Sequence, residues 1–311
     1  MLSIFSTPKP FLGHTNVIQR NAIRSWTRLW PDVEVILFGD EAGTAEAARD
    51  LGASHIPRVE RNEHGTKLLN DFFGRAQAIA RHKLVCYVNC DMILLKDFRM
   101  AVEAVSRQQS NFLAIGRRWN TEITEPLDFD SPGHDHSLRK LVLERGKEQS
   151  SWCIDYFVFR RGFYSDIPPL VIGRIWWDNW LVWRARAAKA DVIDISPVVT
   201  AVHQNHDYAY HPAGHKGVSD DEQARSNFQL AGGWPHLFNI DDATELLTPA
   251  GLRPNRFYRF APTFRTARRI QGALVKGILG ATRPLRQRTG INKEALEKIG
   301  KRLRRIASRA R

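Results

Sequence analysis

The sequence has few cysteines and no long apolar run. Its 311 residues include three cysteines, Cys86, Cys90 and Cys153, none of them in a CxxC spacing. An odd, sparse set argues against a disulfide framework and predicts reduced, buried thiols. No stretch approaches the roughly 20 apolar residues of a membrane span. The N-terminal apolar run is also shorter than the apolar region of a signal peptide, which has roughly 7 to 15 residues. We therefore expect a cytoplasmic protein.

The sequence also lacks a basic excess outside its C-terminal segment. The formal net charge is +13, from 46 Lys and Arg residues against 33 Asp and Glu residues. Fifteen of the basic residues and two of the acidic residues lie at or after Arg265, so the first 264 residues carry 31 of each sign. A nucleic-acid-binding protein is expected to have a basic globular part. The charge distribution therefore disfavours a specific nucleic-acid partner.

Short β-rich runs alternate with amphipathic helical patterns along the first 120 residues. This alternation predicts an α/β fold with a mostly parallel, Rossmann-like central sheet flanked by helices. The predicted strands are 2–5, 34–38, 55–59, 84–89, 112–116, 154–159, 192–195 and 198–202. The predicted helices are 17–30, in which Asn21 is a polar interruption, 42–51, 67–81 and 176–189.

Two segments depart from this alternation. The polar stretch 124–137 and the charged residues that follow it to about 149 predict an excursion over the active face or a mobile loop. The apolar density falls again past residue 251. We divide the chain into a globular domain, 1–245, and a basic C-terminal extension, 246–311.

Polar residues follow three of the predicted strands. Ser6 and Thr7 end the first, Asp40 follows the second, and Asn89 and Asp91 follow the strand 84–89. Ligands of an open parallel sheet bind at the carboxyl ends of its strands. Asp40 can hydrogen-bond a base or a ribose there, and it can equally cap the next helix.

The segment YVNCDMILL places Asp91 between two apolar runs. A buried carboxylate costs several kcal/mol unless a cation or hydrogen bonds offset the charge. Mg²⁺ and Mn²⁺ prefer oxygen ligands and can bridge a carboxylate to a diphosphate. The alternative is an acid that caps the turn after a buried strand.

This segment resembles the DXD motif of GT-A-fold glycosyltransferases, with Asn89 in place of the first acid. The resemblance covers roughly residues 1–240 through the order of the elements. It implies a nucleotide-diphospho-sugar donor, Mn²⁺ or Mg²⁺ bound by Asp91, and Asn89 at the ribose or the donor sugar. It also places Asn70 and Arg75, in TKLLNDFFGRA, on a helix that contacts the donor. Arg75 equally fits a surface ion pair with Asp71 at i, i+4.

The run GRIWWDNWLVWRARA surrounds Asp178 with indole rings. Indoles stack on sugars, and apolar surroundings raise a carboxylate's basicity, as a catalytic base requires. The resemblance also implies a base at the start of a late helix, so we assign Asp178 that role. In the alternative, Asp178 caps the helix and the tryptophans are core.

Two histidines and one more acid complete the candidate site. His203 and His206 lie in VTAVHQNHDYAYH, after a β-branched run, and the resemblance implies a further metal or diphosphate ligand here. The alternatives are a zinc site, which lacks further spaced ligands, and a single structural histidine. Asp155, in CIDYFVFRRG, either lines the acceptor site or caps a buried turn.

The C-terminal extension contains a basic amphipathic helical pattern. Leu296, Ile299, Leu303 and Ile306 recur at intervals of three and four among lysines and arginines. Such a helix can lie on an anionic membrane surface, which suits peripheral attachment to the inner face of the membrane. A solvated tail with loose affinity for any polyanion, RNA included, has the same composition.

Together these features predict a metal-assisted glycosyltransferase that acts on a glycan or lipid-linked acceptor, as in polysaccharide biosynthesis. A sugar-nucleotide nucleotidyltransferase is a rival, but the loop STPKPFLGH has proline where a flexible glycine-rich loop is needed. A second rival is a degenerate transferase that binds a sugar nucleotide without turning it over, which the Asn89 replacement suggests.

Overall fold

The computed structural model describes residues 1–206 and 218–256, which contain two β-sheets. The strands are β1 (Leu2–Ser6), β2 (Glu34–Phe38), β3 (Ser54–Ile56), β4 (Leu84–Val88), β5 (Met92–Ile93), β6 (Phe112–Ile115), β7 (Arg118–Thr121), β8 (Lys147–Glu148), β9 (Tyr156–Arg160), β10 (Asp191–Asp194), β11 (Ala201–Gln204), β12 (Glu245–Thr248) and β13 (Gly251–Pro254). The helices are α1 (Gly13–Trp26), α2 (Thr44–Leu51), α3 (Leu69–Ile79), α4 (Lys96–Gln108), α5 (His134–Arg145), α6 (Trp177–Ala187) and α7 (Glu222–Leu230).

The larger sheet has nine strands in the order β13-β12-β10-β6-β9-β4-β1-β2-β3. Its strands run parallel except β9, which is antiparallel to both neighbours, and the edge strand β13. The start of β9 therefore meets the carboxyl ends of β4 and β6 at one edge of the sheet. The predicted mostly parallel α/β sheet is confirmed.

Apolar side chains cover both faces of this sheet, as expected where helices pack on both sides. Leu2 and Ile4 of β1 contact one cluster, which α1, α2 and α4 complete. Phe5 faces the opposite cluster, which α3 and α6 complete. Its ring lies 4.9 Å from that of Phe73 in α3, in an edge-to-face arrangement.

The smaller sheet, β5-β11-β7-β8, extends from the end of β4. It pairs β5 antiparallel and β7 parallel with β11. A third apolar cluster lies against it and includes Leu138 and Val142 of α5. The segment from 124 to about 149, predicted as an excursion over the active face or a mobile loop, contains helix α5 and strand β8.

Boundaries that differ from the sequence-based prediction include the start of one strand and the end of the globular domain. The strand expected at 198–202 begins at Ala201, because residues 195–200 form a turn. The predicted domain boundary at residue 245 falls at the start of β12, and β12 and β13 both belong to the nine-stranded sheet. The compact unit runs from Met1 to Tyr258. The basic amphipathic helix predicted near the C-terminus lies outside the described residues.

Within residues 1–206 and 218–256, none of the helices combines the length and the apolar character that a membrane crossing requires.

Candidate metal and donor site

The site lies at the carboxyl edge of the larger sheet. Residues that follow β1, β2 and β4 meet there, together with Asp155 before β9 and the beginning of α6. The smaller sheet brings the end of β11 to the same place, because β11 pairs with β5 just after Asp91. Segments far apart in the sequence thus surround the carboxylate of Asp91.

Asp91, His203 and His206 form a group whose possible ligand atoms all lie within 4.8 Å of one another. Asp91 Oδ2 lies 3.1 Å from His206 Nε2 and 3.7 Å from His203 Nε2. Asp91 Oδ1 is buried and has no hydrogen-bond partner among the described residues. A buried carboxylate oxygen of this kind is costly unless another group joins it.

The electrostatics of this group favour a carboxylate beside a neutral imidazole. Burial lowers the pKa of His203 to about 4, outweighing the opposite effect of Asp91. Burial would raise the pKa of Asp91, but His203, His206 and Lys9 together lower it well below its usual range. Carboxylate and neutral imidazole are the protonation states in which these side chains bind metals.

The backbone at Asp91 and Met92 is held by the smaller sheet and by helix α1. Gln204 of β11 donates to the Asp91 carbonyl from its backbone nitrogen at 3.1 Å and from its side-chain amide at 3.3 Å. Met92, the next residue, accepts a 2.8 Å hydrogen bond from the indole of Trp26 in α1. The turn that carries Asp91 is therefore fixed on both sides of the carboxylate.

Lys9 is a site residue that the sequence reasoning missed. The positive charge of its ammonium helps to lower the pKa of Asp91. Two hydrogen bonds with the side chain of Gln19, at 2.6 and 2.8 Å, fix its backbone. Its place in the loop after β1 was the available signal, but only the fold shows that the chain turns toward Asp91.

Asn89 and Asp155 belong to one hydrogen-bonded network. The Asn89 amide donates to Asp155 Oδ1 at 2.6 Å and accepts from the Tyr87 hydroxyl at 2.8 Å. Asp155 Oδ2 accepts from Arg118 at 2.8 Å. Both oxygens of this buried carboxylate are thus engaged by donors, one of them cationic.

Asp178 is the second residue of α6, and its surroundings differ from those of Asp155. Burial, reinforced by the charge of Asp155, raises the pKa of Asp178 to about 7 in spite of hydrogen bonds from the helix backbone. Its Oδ1 has no hydrogen-bond partner within the described part of the chain. A carboxylate with such a pKa is suited to accept a proton near neutral pH.

The tryptophans around Asp178 divide between the core and the surface. Trp177 and Trp180 are buried, whereas Trp176 and Trp183 are half-buried. Trp176, just before α6, has a left-handed backbone conformation with φ of 88°. Strain of this kind at a bulky residue persists only where the surrounding packing enforces it.

The loop after β2 is held by a chain of ion pairs. Asp40 is exposed and lies 2.5 Å from Arg61, which also pairs with Glu41 at 3.1 Å. Glu41 lies 2.6 Å from the buried ammonium of Lys67, which donates in turn to the carbonyl of Pro8. Lys67, a second residue that the sequence reasoning missed, thereby joins the loops after β1 and β2.

The remaining residues predicted to contact the sugar-nucleotide donor are Ser6, Thr7, Asn70 and Arg75. Ser6 is buried at the end of β1, and the Thr7 side chain is hydrogen-bonded to the Tyr87 hydroxyl. The side-chain oxygen of Asn70, Oδ1, is buried and has no hydrogen-bond partner in residues 1–206 and 218–256. Arg75 lies 3.5 Å from Asp71 and also donates to the Arg58 carbonyl, as the ion-pair alternative predicts.

Comparison with solved structures finds similarity to several glycosyltransferases. They include a mannosyltransferase from Pyrobaculum calidifontis in complex with GDP-Man and Mn²⁺ (11% identity, TM-score 0.40, covering 65% of this chain and 56% of that one). A glucosyl-3-phosphoglycerate synthase from Mycobacterium tuberculosis with Mg²⁺ and UDP is 15% identical (TM-score 0.44, 75% and 80%). Residues 1–349 of TarS from S. aureus are 12% identical (TM-score 0.44, 65% and 60%). The chain thus spans less than two thirds of the mannosyltransferase and of that TarS fragment. No protein-family model and no curated protein sequence matches the chain.

Proposed function

We propose that this chain is a metal-dependent glycosyltransferase that moves a sugar from a nucleotide-diphosphate donor to a hydroxyl acceptor. The observation that carries this proposal is the group formed by Asp91, His203 and His206 at the carboxyl edge of a parallel sheet, where such folds bind ligands. The DXD-like segment YVNCDMILL gives Asp91 the same role by resemblance.

The three side chains suit a divalent cation. Two imidazoles and one carboxylate favour a transition cation such as Mn²⁺ over Mg²⁺, which prefers oxygen ligands alone. Asp91 Oδ1, buried and without a hydrogen-bond partner among the described residues, is available for this role. When bound, the cation neutralises charge on the diphosphate leaving group.

Other residues act on the donor and the acceptor. Lys9 adds positive charge next to the cation site, where a diphosphate would lie. In this proposal the donor is bound by Ser6, Thr7, Asp40 and Asn70, with Asp40 as the partner of the base or the ribose. Asp178 takes the proton of the attacking hydroxyl, because this half-buried side chain has a raised pKa and an Oδ1 without a hydrogen-bond partner among the described residues.

Further parts of the proposal concern partners. A glycan or lipid-linked acceptor matches the indole-rich surroundings of Asp178. The basic C-terminal segment would bring the enzyme to an anionic membrane surface. The alternative of a sugar-nucleotide-binding protein without turnover shares the cation site but assigns Asp178 no proton transfer.

Thermal unfolding with nucleoside diphosphates tests the donor class. We expect UDP or GDP to raise the unfolding midpoint of the full chain only when Mn²⁺ is present, since the cation joins Asp91 to the diphosphate. Asp91→Ala should abolish this rise. Asp166→Ala, which removes an exposed carboxylate paired with Arg184, is the matched control and should keep the rise.

A metal-independent rise of equal size in wild type and Asp91→Ala would contradict the proposed site. Hydrolysis of UDP- and GDP-sugars, measured with Mn²⁺, separates an enzyme from a binding protein. We expect slow donor hydrolysis by wild type and none by Asp91→Ala. Donor binding without any hydrolysis, and without transfer to glycan acceptors, would favour the alternative.

A further inference from the structure

Asn89 stands where the DXD motif has its first acid, and its contacts are specific to an amide. The side-chain nitrogen donates to Asp155 Oδ1 at 2.6 Å, and the side-chain oxygen accepts from the Tyr87 hydroxyl at 2.8 Å. An amide can donate and accept at once, whereas an ionised carboxylate can only accept. An aspartate here would therefore put two carboxylates against each other.

The same residue begins the turn that carries Asp91. The Asn89 backbone nitrogen donates to the Asp155 carbonyl at 2.9 Å, and its carbonyl accepts from Met92 at 3.1 Å. Three hydrogen bonds thus join residues 87, 89 and 155, and a fourth closes the turn around Asp91. Displacement of Asn89 would therefore also displace Asp91, the proposed cation ligand, which lies two residues further along the chain.

The charges around the network are already paired. Asp155 is buried and forms a 2.8 Å ion pair with Arg118, whose side chain is largely buried as well. A new negative charge at position 89 would face Asp155 directly, whereas Arg118 contacts the other Asp155 oxygen. An uncompensated buried charge of this kind is strongly unfavourable.

We infer that Asn89 is a positioning residue that links Asp155 to the Asp91 turn, so that Asn89→Asp, which restores the first acid of the motif, weakens the site instead of completing it. The part of this inference that concerns the cation rests on the proposed function. The part that concerns the coupling of Asn89 to Asp155 rests on the hydrogen bonds alone.

A reciprocal exchange tests the inference. In Asn89→Asp/Asp155→Asn the amide and the acid trade places. The amide introduced at position 155 can donate to the carboxylate introduced at position 89 and accept from Arg118, while Tyr87 donates to that carboxylate. Every side-chain hydrogen bond of the network can then form again. The full-length wild type, both single variants and the double variant are compared, with Mn²⁺ alone as the probe.

Two measurements are made on each protein: the unfolding midpoint without metal, and Mn²⁺ affinity by titration followed by electron paramagnetic resonance. We expect Asn89→Asp to lower the midpoint by at least about 3 °C and to weaken Mn²⁺ binding at least tenfold. The double variant should recover more than half of each loss. Asn16→Asp adds the same charge in α1 next to Arg20 and should leave Mn²⁺ affinity unchanged.

Two results would overturn the inference. One is an Asn89→Asp variant with an unchanged midpoint and equal or tighter Mn²⁺ binding, which would make position 89 a vacant ligand position. The other is a double variant no better than the single ones, since the loss would then not arise between residues 89 and 155. If wild type binds no Mn²⁺, the proposed cation site fails, and the unfolding midpoints still decide whether the two residues are coupled.

Discussion

At Asp178, folding and the proposed proton transfer place opposite demands on one side chain. The carboxyl pKa is 3.8 in an unperturbed chain and about 7 here, chiefly through burial. Between these pH values the native state keeps a proton that the unfolded state has released, so stability falls as the pH rises through this window. Above pH 7 both states are ionised, and the full cost of the buried charge remains.

Asp178→Asn should therefore stabilise the protein while it removes the proposed base. We expect the free energy of unfolding at pH 8 to rise by up to about 4 kcal/mol, with a smaller gain at pH 5. Transfer or donor hydrolysis should fall at least about 100-fold. Chemical denaturation at both pH values and a rate assay measure the two effects.

Asp166→Asn, at an exposed carboxylate, serves as the control and should show no comparable gain at pH 8. Loss of stability in Asp178→Asn at pH 8 would show that the ionised carboxylate is stabilised by its surroundings. Undiminished activity would remove Asp178 from the mechanism.

The sequence indicated some of these residues and not others. Asp91 and His203 were identifiable because Asp91 directly follows an apolar run and His203 lies within one. A polar side chain in such a position requires contacts that offset its loss of hydration. Lys9 and Arg118 were not, since basic residues are common in loops and their partners lie far away in sequence. The two oxygens of Asp155 could not be assigned to Asn89 and Arg118 without coordinates.

At the scale of elements, α1 is tied to the smaller sheet through Asn21, the polar interruption in its apolar pattern. The buried Asn21 amide donates to the Glu125 carbonyl at 3.0 Å and to Gln204 of β11 at 3.1 Å. Its oxygen accepts from the Leu127 backbone at 2.8 Å. The residue that weakens the helical pattern thus connects α1, β11 and the segment before α5.

Asn21→Leu should loosen this connection. It removes the partner of the buried Gln204 amide, the half-buried Leu127 backbone N–H and the exposed Glu125 carbonyl. A group left unsatisfied out of reach of water costs about 1–3 kcal/mol. We expect the free energy of unfolding to fall by about 3 kcal/mol, with faster hydrogen exchange in residues 122–131. Mass-spectrometric exchange and denaturant titration measure these changes.

Asn16, on the same helix, has a side-chain amide that accepts a local hydrogen bond from Arg20. Asn16→Leu should therefore lower the free energy of unfolding by less than about 1 kcal/mol. Equal losses in the two variants would mean that Asn21 contributes no more than a surface amide does.

The elements of the larger sheet were largely predictable, and those of the smaller sheet were not. Strand 34–38 was predicted with its observed bounds, because a continuous apolar run in a sheet buried on both faces leaves few alternatives. Strands β5 and β8 have two residues each. Runs of that length have no period to detect, so they depend on pairing partners elsewhere in the chain.

At the scale of the whole molecule, the net positive charge and the compact unit lie in different parts of the sequence, which divide near Tyr258. Residues 1–258 hold 30 basic and 31 acidic side chains, so the net positive charge of the chain lies entirely beyond them. We expect the fragment 1–258 to unfold within about 2 °C of the full chain, since both edge strands are retained. The fragment 1–245 should unfold at least about 5 °C lower, because it lacks β13 and most of β12. Calorimetry decides between these boundaries, and equal midpoints for the two fragments would show that β12 and β13 add nothing.

The same fragment tests the predicted membrane contact. The full chain should sediment with vesicles that contain anionic lipid, and less so at high salt, whereas 1–258 should stay in solution. Sedimentation of both proteins alike would place any membrane contact outside the C-terminal segment. Competition by RNA at equal charge would identify a general polyanion affinity.

The sequence by itself determined the α/β class, most strands of the larger sheet, the location of the net charge and the presence of an acid just after a buried strand, at position 91. These properties follow from local patterns, because burial, periodicity and composition are written along the chain. Only the tertiary structure decided that His203 and His206 meet Asp91, that Asn89 is held by Asp155, and that Lys9 faces the same carboxylate. Such contacts join residues more than 60 positions apart, and the sheet pairing that brings them together has no signature within any one segment.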